Sequence, residues 1–274
     1  MSLAGVDVSA FQGQPGAWKA RAGPITWAAV KFTELQPDGV RYVNPDAAAD
    51  WAYLHEQGKG RIAYLFAHPG TSASETASFF LAQMARAGTI NDTDMACIDL
   101  EVSDGATPPK VSAWTADVAG AITAALRRPA VLYTFLSFAW AGNCAGLGHL
   151  PLWIADPSSP AGKPRVPSPW TGHAIHQFST AGGIDRDVAN YASLAAMQAA
   201  LGAKPKKGTA TVAYTADGTK SLHEIASSVH GSPSYILRLT AVEDGKFPDD
   251  VAKWLDSVVS GHAVPKGCVL RLPA

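Results

Sequence analysis

The chain has 274 residues, 47% of them hydrophobic, enough to bury a large core in one or two domains. A formal net charge of −1 with no long basic cluster argues against nucleic acid as a partner; Lys204, Lys206 and Lys207 read as a solvated linker. No apolar run suits a membrane span, and Met1-Ser2-Leu3-Ala4-Gly5 enters a strand with no basic or apolar leader, so no signal peptide is expected.

Short apolar runs alternate with helical patterns up to about residue 200. Strands are predicted over 5–8, 28–33, 61–67, 95–101, 130–135, 152–155 and 174–178, and helices over 45–57, 72–87 and 111–127. Asn44 before Pro45 suits a helix start, Gly58 suits its stop, and Ser72 with Glu75 reads as a capping box. This alternation implies a mostly parallel sheet. Its length and strand count favour an α/β fold of the TIM-like β/α-barrel kind over an open doubly wound sheet. Few long helices in the last third predict an irregular barrel.

The barrel is assigned to 1–202, a polar linker with Pro and Gly to 203–209, and a small α+β unit to 210–274. That unit reads as a strand over 211–215, helices over 221–229 and 233–239, an acidic insertion with another helix, and a strand over 269–272. Cys97, Cys144 and Cys268 are far apart and odd in number. Cys97, inside an apolar run, reads as a small core residue rather than a disulfide partner or nucleophile.

The most informative feature is Asp99-Leu100-Glu101, which closes the apolar run Met95-Ala96-Cys97-Ile98. Side chains at i and i+2 of a strand share a face, with backbone positions roughly 6.5–7 Å apart. Strand interiors disfavour Asp and like charges repel, so the pair costs stability. Two acidic groups flanking one glycosidic bond would explain it. Barrel chemistry gathers at the carboxyl ends of strands, which here carry Asp7, Glu34, His68, Asp99, Glu101, Tyr133 and Asp156.

Plainer readings stand beside these. Asp99 and Glu101 could meet Lys or Arg, Asp7 could serve a turn, and Glu34 could pair with Lys31 or Arg41. Tyr64, Phe66, Tyr133 and Trp153 suit either a core or a sugar-stacking mouth, whereas Phe11, Trp18 and Trp27 read as packing. Asp185 is preferred over Asp187 as a fourth acid. His68, His173 and His176 lack metal-ligand spacing, and Ser9 and Cys97 lack a partner base, so no metal, cofactor or nucleophile is expected.

Eight ordered stretches carry a resemblance. They are Gly5-Val6-Asp7-Val8-Ser9 with Gln12-Gly13; Val30-Lys31-Phe32-Thr33-Glu34; Tyr42-Val43-Asn44-Pro45; and Ala63-Tyr64-Leu65-Phe66-Ala67. Ile98-Asp99-Leu100-Glu101, Leu132-Tyr133-Thr134, Leu152-Trp153-Ile154-Ala155 and His176-Gln177-Phe178 with Gly183-Ile184-Asp185 complete the series. Together they resemble the glycoside hydrolase family 25 lysozymes. The resemblance implies an irregular β/α barrel that cleaves the β-1,4 bond between N-acetylmuramic acid and N-acetylglucosamine in bacterial peptidoglycan.

It also implies roles. Glu101 would be the general acid and Asp99 would stabilise charge near the anomeric carbon, with Asp7 and Asp185 completing the acidic cluster. Glu34, Tyr64, Phe66, Tyr133, Trp153 and Gln177 would bind substrate. Leu35, Leu65 and His176 depart from the family's usual Gly, His and Trp.

More loosely, 210–274 resembles a LysM peptidoglycan-binding module. Val212-Ala213-Tyr214-Thr215, Ser221-Leu222-His223-Glu224-Ile225-Ala226, Tyr235-Ile236-Leu237-Arg238-Leu239 and Pro265-Lys266-Gly267 carry that likeness. It departs at Asp217-Gly218-Thr219, at Thr240 and in an insertion around 243–261. The whole suggests a monomeric phage endolysin, made in the host cytoplasm and reaching the wall through a holin, or else a secreted enzyme. The alternatives are a non-catalytic glycan-binding protein on a decayed barrel and a metal-dependent hydrolase.

Overall fold

The computed structural model describes residues 2–87, 93–202, 211–215, 219 and 269–273. The chain divides into two compact units, Met1–Pro205 and Lys206–Ala274.

Nine strands of the first unit form one sheet: β1 (Leu3–Val8), β2 (Trp27–Leu35), β3 (Arg41–Val43), β4 (Gly60–Phe66), β5 (Met95–Asp99), β6 (Val131–Phe135), β7 (Leu152–Ala155), β8 (Ile175–Ser179) and β9 (Asp185–Ala189). Their order is β1-β9-β8-β7-β6-β5-β4-β2-β3, and β1 also pairs with β2. Eight strands therefore close into a barrel, while β3 extends β2 as an antiparallel hairpin outside the closure. Every other pairing is parallel except those of β9, which runs against both β8 and β1. The cause is the connection after β8. Thr180–Ile184 is far too short for a parallel crossover, which needs a dozen or more residues, so the chain turns straight back through Gly182 and Gly183 at positive φ. The turn brings the start of β9, rather than its end, to the barrel mouth.

Helices pack outside: α1 (Pro15–Ala22), α2 (Ala47–Glu56), α3 (Ala73–Arg86), α4 (Pro108–Leu126), α5 (Leu136–Phe138), which runs into the π-turn Ala139–Asn143, and α6 (Leu194–Leu201). α3 begins as expected, with the Ser72 hydroxyl accepting from Glu75 N–H. Asn44 accepts from Asp46 N–H, so Pro45 sits in a turn and α2 begins two residues later than predicted. α4 begins earlier, because Pro108 and Pro109 suit a first helical turn that lacks N–H partners anyway. The elements absent from the sequence reading are α1, β3, β9, α5 and α6.

The barrel interior follows the two-residue period of the strands. Trp27, Ala29, Ile62, Tyr64, Met95, Cys97, Val131, Trp153 and Ile175 form one buried cluster, into which α6 inserts Met197 and Leu201. Trp27 lies across Gly5, where any Cβ would fall 2.2 Å from the indole, so β1 needs glycine there. In the second unit, β10 (Thr211–Thr215) pairs antiparallel with β11 (Val269–Pro273), at the places where strands were expected. The expected linker 203–209, the helices 221–229 and 233–239, the insertion and Cys268 lie outside the described residues.

Candidate active site

The mouth collects the carboxyl ends of the parallel strands and the amino end of β9. Asp7 stands opposite Asp185 across β1–β9, and Asp187 stands opposite Gln177 across β8–β9. Asp99 ends β5 between Phe66 and Tyr133. The strand stops there, two residues short of the predicted end, yet Leu100 N–H still bonds Tyr133 O at 2.9 Å. That extra rung buries Leu100 and returns Glu101 to the same side as Asp99.

A chain of hydrogen bonds links these groups. Gln177 Nε2 donates to Asp7 Oδ2 at 2.8 Å, Tyr133 Oη donates to Gln177 Oε1 at 3.0 Å, and Trp153 Nε1 donates to Asp187 Oδ1 at 2.9 Å. Burial and the facing Asp185 carboxylate raise Asp7 to about 7, although its hydrogen bonds from Gln177 and Asp187 pull the other way. Burial and Asp7 push Asp187 well above the carboxylate range. Burial, Glu101 and Asp7 do the same to Asp99, whose Oδ1 is buried without a donor among the described residues. Burial also raises Glu101, assisted by Asp185 and opposed by Tyr133 and Lys31. Several carboxyl groups packed this closely cannot all ionise, so protons stay in the cluster near neutral pH.

The four acids predicted from sequence, Asp7, Asp99, Glu101 and Asp185, are thus brought together. Asp187 joins them and lies deeper than Asp185. The two share a face at i and i+2, the same signal that marked Asp99 and Glu101. Lys31, on the inward face of β2, was given no role by the sequence beyond that of a partner for Glu34. Its ammonium pairs with Glu34 at 2.6 Å, lies 4.8 Å from the Phe66 ring centroid, and tempers Asp99 and Glu101. Glu34 also faces His68 Nε2 at 3.2 Å, and His68 Nδ1 faces Asp104 at 2.9 Å.

The aromatic expectations divide. Phe66 and Tyr133 are half-buried at the mouth. Tyr64 is buried in the interior cluster. Trp153, expected among the substrate-binding residues, is only 2% exposed, so its ring has no face for a sugar; it holds Asp187 instead. Trp18 and Trp27 pack as expected, but Phe11 is 97% exposed in the turn after β1, because Gln12 satisfies Ser9 and turns the chain outward. Asp156 folds back into the loop after β7. It accepts from Arg165 Nη2, Nε and backbone N, and that pairing holds its carboxyl well below the usual range. His176 is fully buried; its Nδ1 accepts from Gly162 N–H, and its Nε2 lies 3.0 Å from Asp156 O.

An acid-lined mouth on a barrel with one reversed strand describes a glycosidase, and the comparisons agree. Residues 6–187 match the family profile "Glycosyl hydrolases family 25". The chain belongs to that family and is a glycoside hydrolase. Among solved structures it is similar to a family 25 lysozyme from Aspergillus fumigatus, at 22% identity, covering 74% of this chain and 100% of that one, TM-score 0.61. A lysozyme from Streptomyces coelicolor shares 23% identity over 73% and 97% of the two chains, TM-score 0.61. A muramidase from Trichobolus zukalii shares 24% over 73% and 98%, TM-score 0.60. At such identities the likenesses establish the barrel and nothing finer. A search of curated proteins finds no match.

Proposed function

We propose that the chain is an endolysin-type muramidase, hydrolysing the β-1,4 bond between N-acetylmuramic acid and N-acetylglucosamine in bacterial peptidoglycan. The observation that carries this reading is the convergence of Asp7, Asp99, Glu101, Asp185 and Asp187 at one strand-end mouth, with burial raising them together. Glu101, whose pKa is raised and which is the only one of these acids beyond a strand end, is the general acid that protonates the leaving oxygen.

Asp99 supports a substrate-assisted route. Its Oδ1 is buried without a donor among the described residues, while the residue as a whole is half-buried at the mouth, so an acetamido N–H from the sugar would meet its other oxygen. Asp99 then orients the acetamido group, whose oxygen attacks the anomeric carbon, and a water opens the resulting ring while Glu101 takes back a proton. Phe66, Tyr133 and Glu34 line the mouth as substrate contacts. The unit Lys206–Ala274 is the wall-binding module in this reading.

Mass spectrometry of fragments released from purified cell walls tests it. Reducing-end muramic acid is expected; reducing-end glucosamine, or binding with no new reducing ends, would overturn the assignment.

A further inference from the structure

Glu101 lies past the last residue of β5, so strand pairing alone does not fix its place. Its segment is tied on both sides. Before it, Ala67 N–H donates to Asp99 O at 2.8 Å, and Leu100 N–H donates to Tyr133 O at 2.9 Å. After it, Asp104 reaches back to the turn that follows β4. Its Oδ2 accepts from Gly70 N–H at 2.9 Å, and its Oδ1 lies 2.9 Å from His68 Nδ1. A carboxylate oxygen can only accept, so the facing ring nitrogen carries the hydrogen. Residues 100–103, with Glu101 among them, therefore span two fixed points.

The second tie is built into its surroundings. Asp104 sits at φ 49°, a left-handed conformation, and Gly105 follows at φ 76°. Ala106 N–H closes this turn onto Ser103 O at 2.8 Å. A Cβ on Gly70 would press against Asp104 Cβ at 3.1 Å, so glycine gives the carboxylate room to approach. The His68 and Asp104 side chains are each only 14% exposed, although both belong to loops. His68 is itself anchored. Its Nε2 lies 3.2 Å from Glu34 Oε1, and Glu34 Oε2 accepts from Lys31 on β2 at 2.6 Å. Thr71 Oγ1 donates to His68 O at 2.7 Å, and Trp114 of α4 donates to Thr71 O at 2.8 Å.

We propose that Asp104, backed by His68, is a positioning residue that keeps the Glu101 carboxyl group within reach of the leaving glycosidic oxygen. The proposal rests on Glu101 being the general acid. Asp104 acts through the backbone it shares with Glu101, by limiting how far residues 100–103 can stray. In the step it serves, Glu101 passes its proton to the leaving oxygen, the anomeric C–O bond breaks, and the bonding pair goes to that oxygen. A carboxyl group displaced by about 1 Å makes that transfer poorly, at a cost on the order of 100-fold.

A misplaced acid leaves a signature that a loosened fold does not. A sugar alkoxide needs a proton to depart, whereas a dinitrophenolate departs without one. The two substrates are soluble glycan fragments of purified walls and a dinitrophenyl β-glycoside of N-acetylmuramic acid, with circular dichroism as the check on folding. Asp104→Gly suits the left-handed φ and deletes the carboxylate. On glycan its kcat should fall by about 10- to 100-fold with KM within about twofold of the parent. On the dinitrophenyl glycoside the fall should be less than about threefold, because that bond breaks without the acid. Asp104→Asn tolerates the same φ and keeps one acceptor, so its glycan kcat should lie between parent and Asp104→Gly. Added to Glu101→Gln, Asp104→Gly should cost nothing further on glycan.

Equal losses on the two substrates, an unmoved kcat on glycan, or a full further loss in the double variant would overturn the proposal. Should Asp104→Gly fail to fold, His68→Ala cuts the same tie from its other end, and absence of the split between the two substrates there refutes it. Full turnover of glycan by Glu101→Gln would instead remove the assignment on which the proposal rests.

Discussion

An aspartate stands at each end of β5, and the two ends of the barrel treat the same side chain in opposite ways. Asp94, one residue before the strand, is fully buried and gripped by Arg61 through Nε at 2.6 Å and Nη2 at 3.2 Å. Arg61 in turn lies 4.4 Å over the Trp51 ring and donates to Trp51 O. Asp99, at the far end, has Glu101 and Asp7 as neighbours and a buried oxygen without a donor among the described residues. Lys31 offsets part of that repulsion, but it is already committed to Glu34. The amino end is built so that charge stabilises the fold. At the carboxyl end, acidic groups are buried together and held toward their protonated forms, an arrangement that costs stability.

That contrast can be broken at either end. The largest effect on stability is expected from Arg61→Ala, which strips the guanidinium from a fully buried carboxylate. Removing one member of a buried pair costs about 3–5 kcal/mol, so the denaturant midpoint should fall sharply while activity per folded molecule persists. A variant as stable as the parent would show that the pair is not what secures this end.

At the mouth the order reverses. Glu101→Gln should fold normally, because it removes a carboxyl group already pushed toward its neutral form, yet muramidase turnover should drop by at least about 100-fold. Near-normal release of reducing ends by this variant would take Glu101 out of the acid role. A smaller effect is expected from Trp153→Phe, which keeps a buried ring but deletes the donor to Asp187 Oδ1. Stability should fall by about 1–2 kcal/mol, the cost of a buried acceptor left without its partner, and unfolding curves at neutral pH measure it.

The same contrast explains what the sequence displayed. Strands whose inward and outward faces are both apolar, such as Met95–Ile98 and Leu152–Ala155, were legible as short hydrophobic runs. β9 was not, because Asp185-Arg186-Asp187 breaks the run where its inward face lines the candidate site. α1 buries only Trp18 and Ala22, and β3 is three partly exposed residues, so neither leaves a periodic mark. The acids themselves were legible, being charges at the ends of apolar strands. Their depth was not, since the rank of Asp187 over Asp185 depends on how the short turn after β8 sets the register. Trp153 was ambiguous for a similar reason. An inward-facing aromatic in a barrel strand reads alike whether it faces a sugar or closes over a buried carboxyl, and only the closed barrel separates the two.

The smallest expected effect concerns stability at the mouth and depends on pH. Folding raises Asp7 to about 7 from an ordinary value of 3.8, because burial and Asp185 disfavour its charge. The folded state therefore binds a proton that the unfolded chain releases above pH 4. The contribution is fully present below pH 4 and is lost as pH rises through 7. Asp7→Asn removes the titration while leaving an acceptor for Gln177 Nε2 and supplying a donor toward Asp187. At pH 4 the two proteins should unfold at nearly the same temperature. By pH 8 the variant should be the more stable, on the order of 1 kcal/mol, since part of the shift is offset by the shared proton it forgoes. The reading is the widening gap in Tm between pH 4 and 8. A gap that stays constant or narrows would mean that Asp7 is ionised at little cost, and that the mouth is no more strained than the Arg61–Asp94 end.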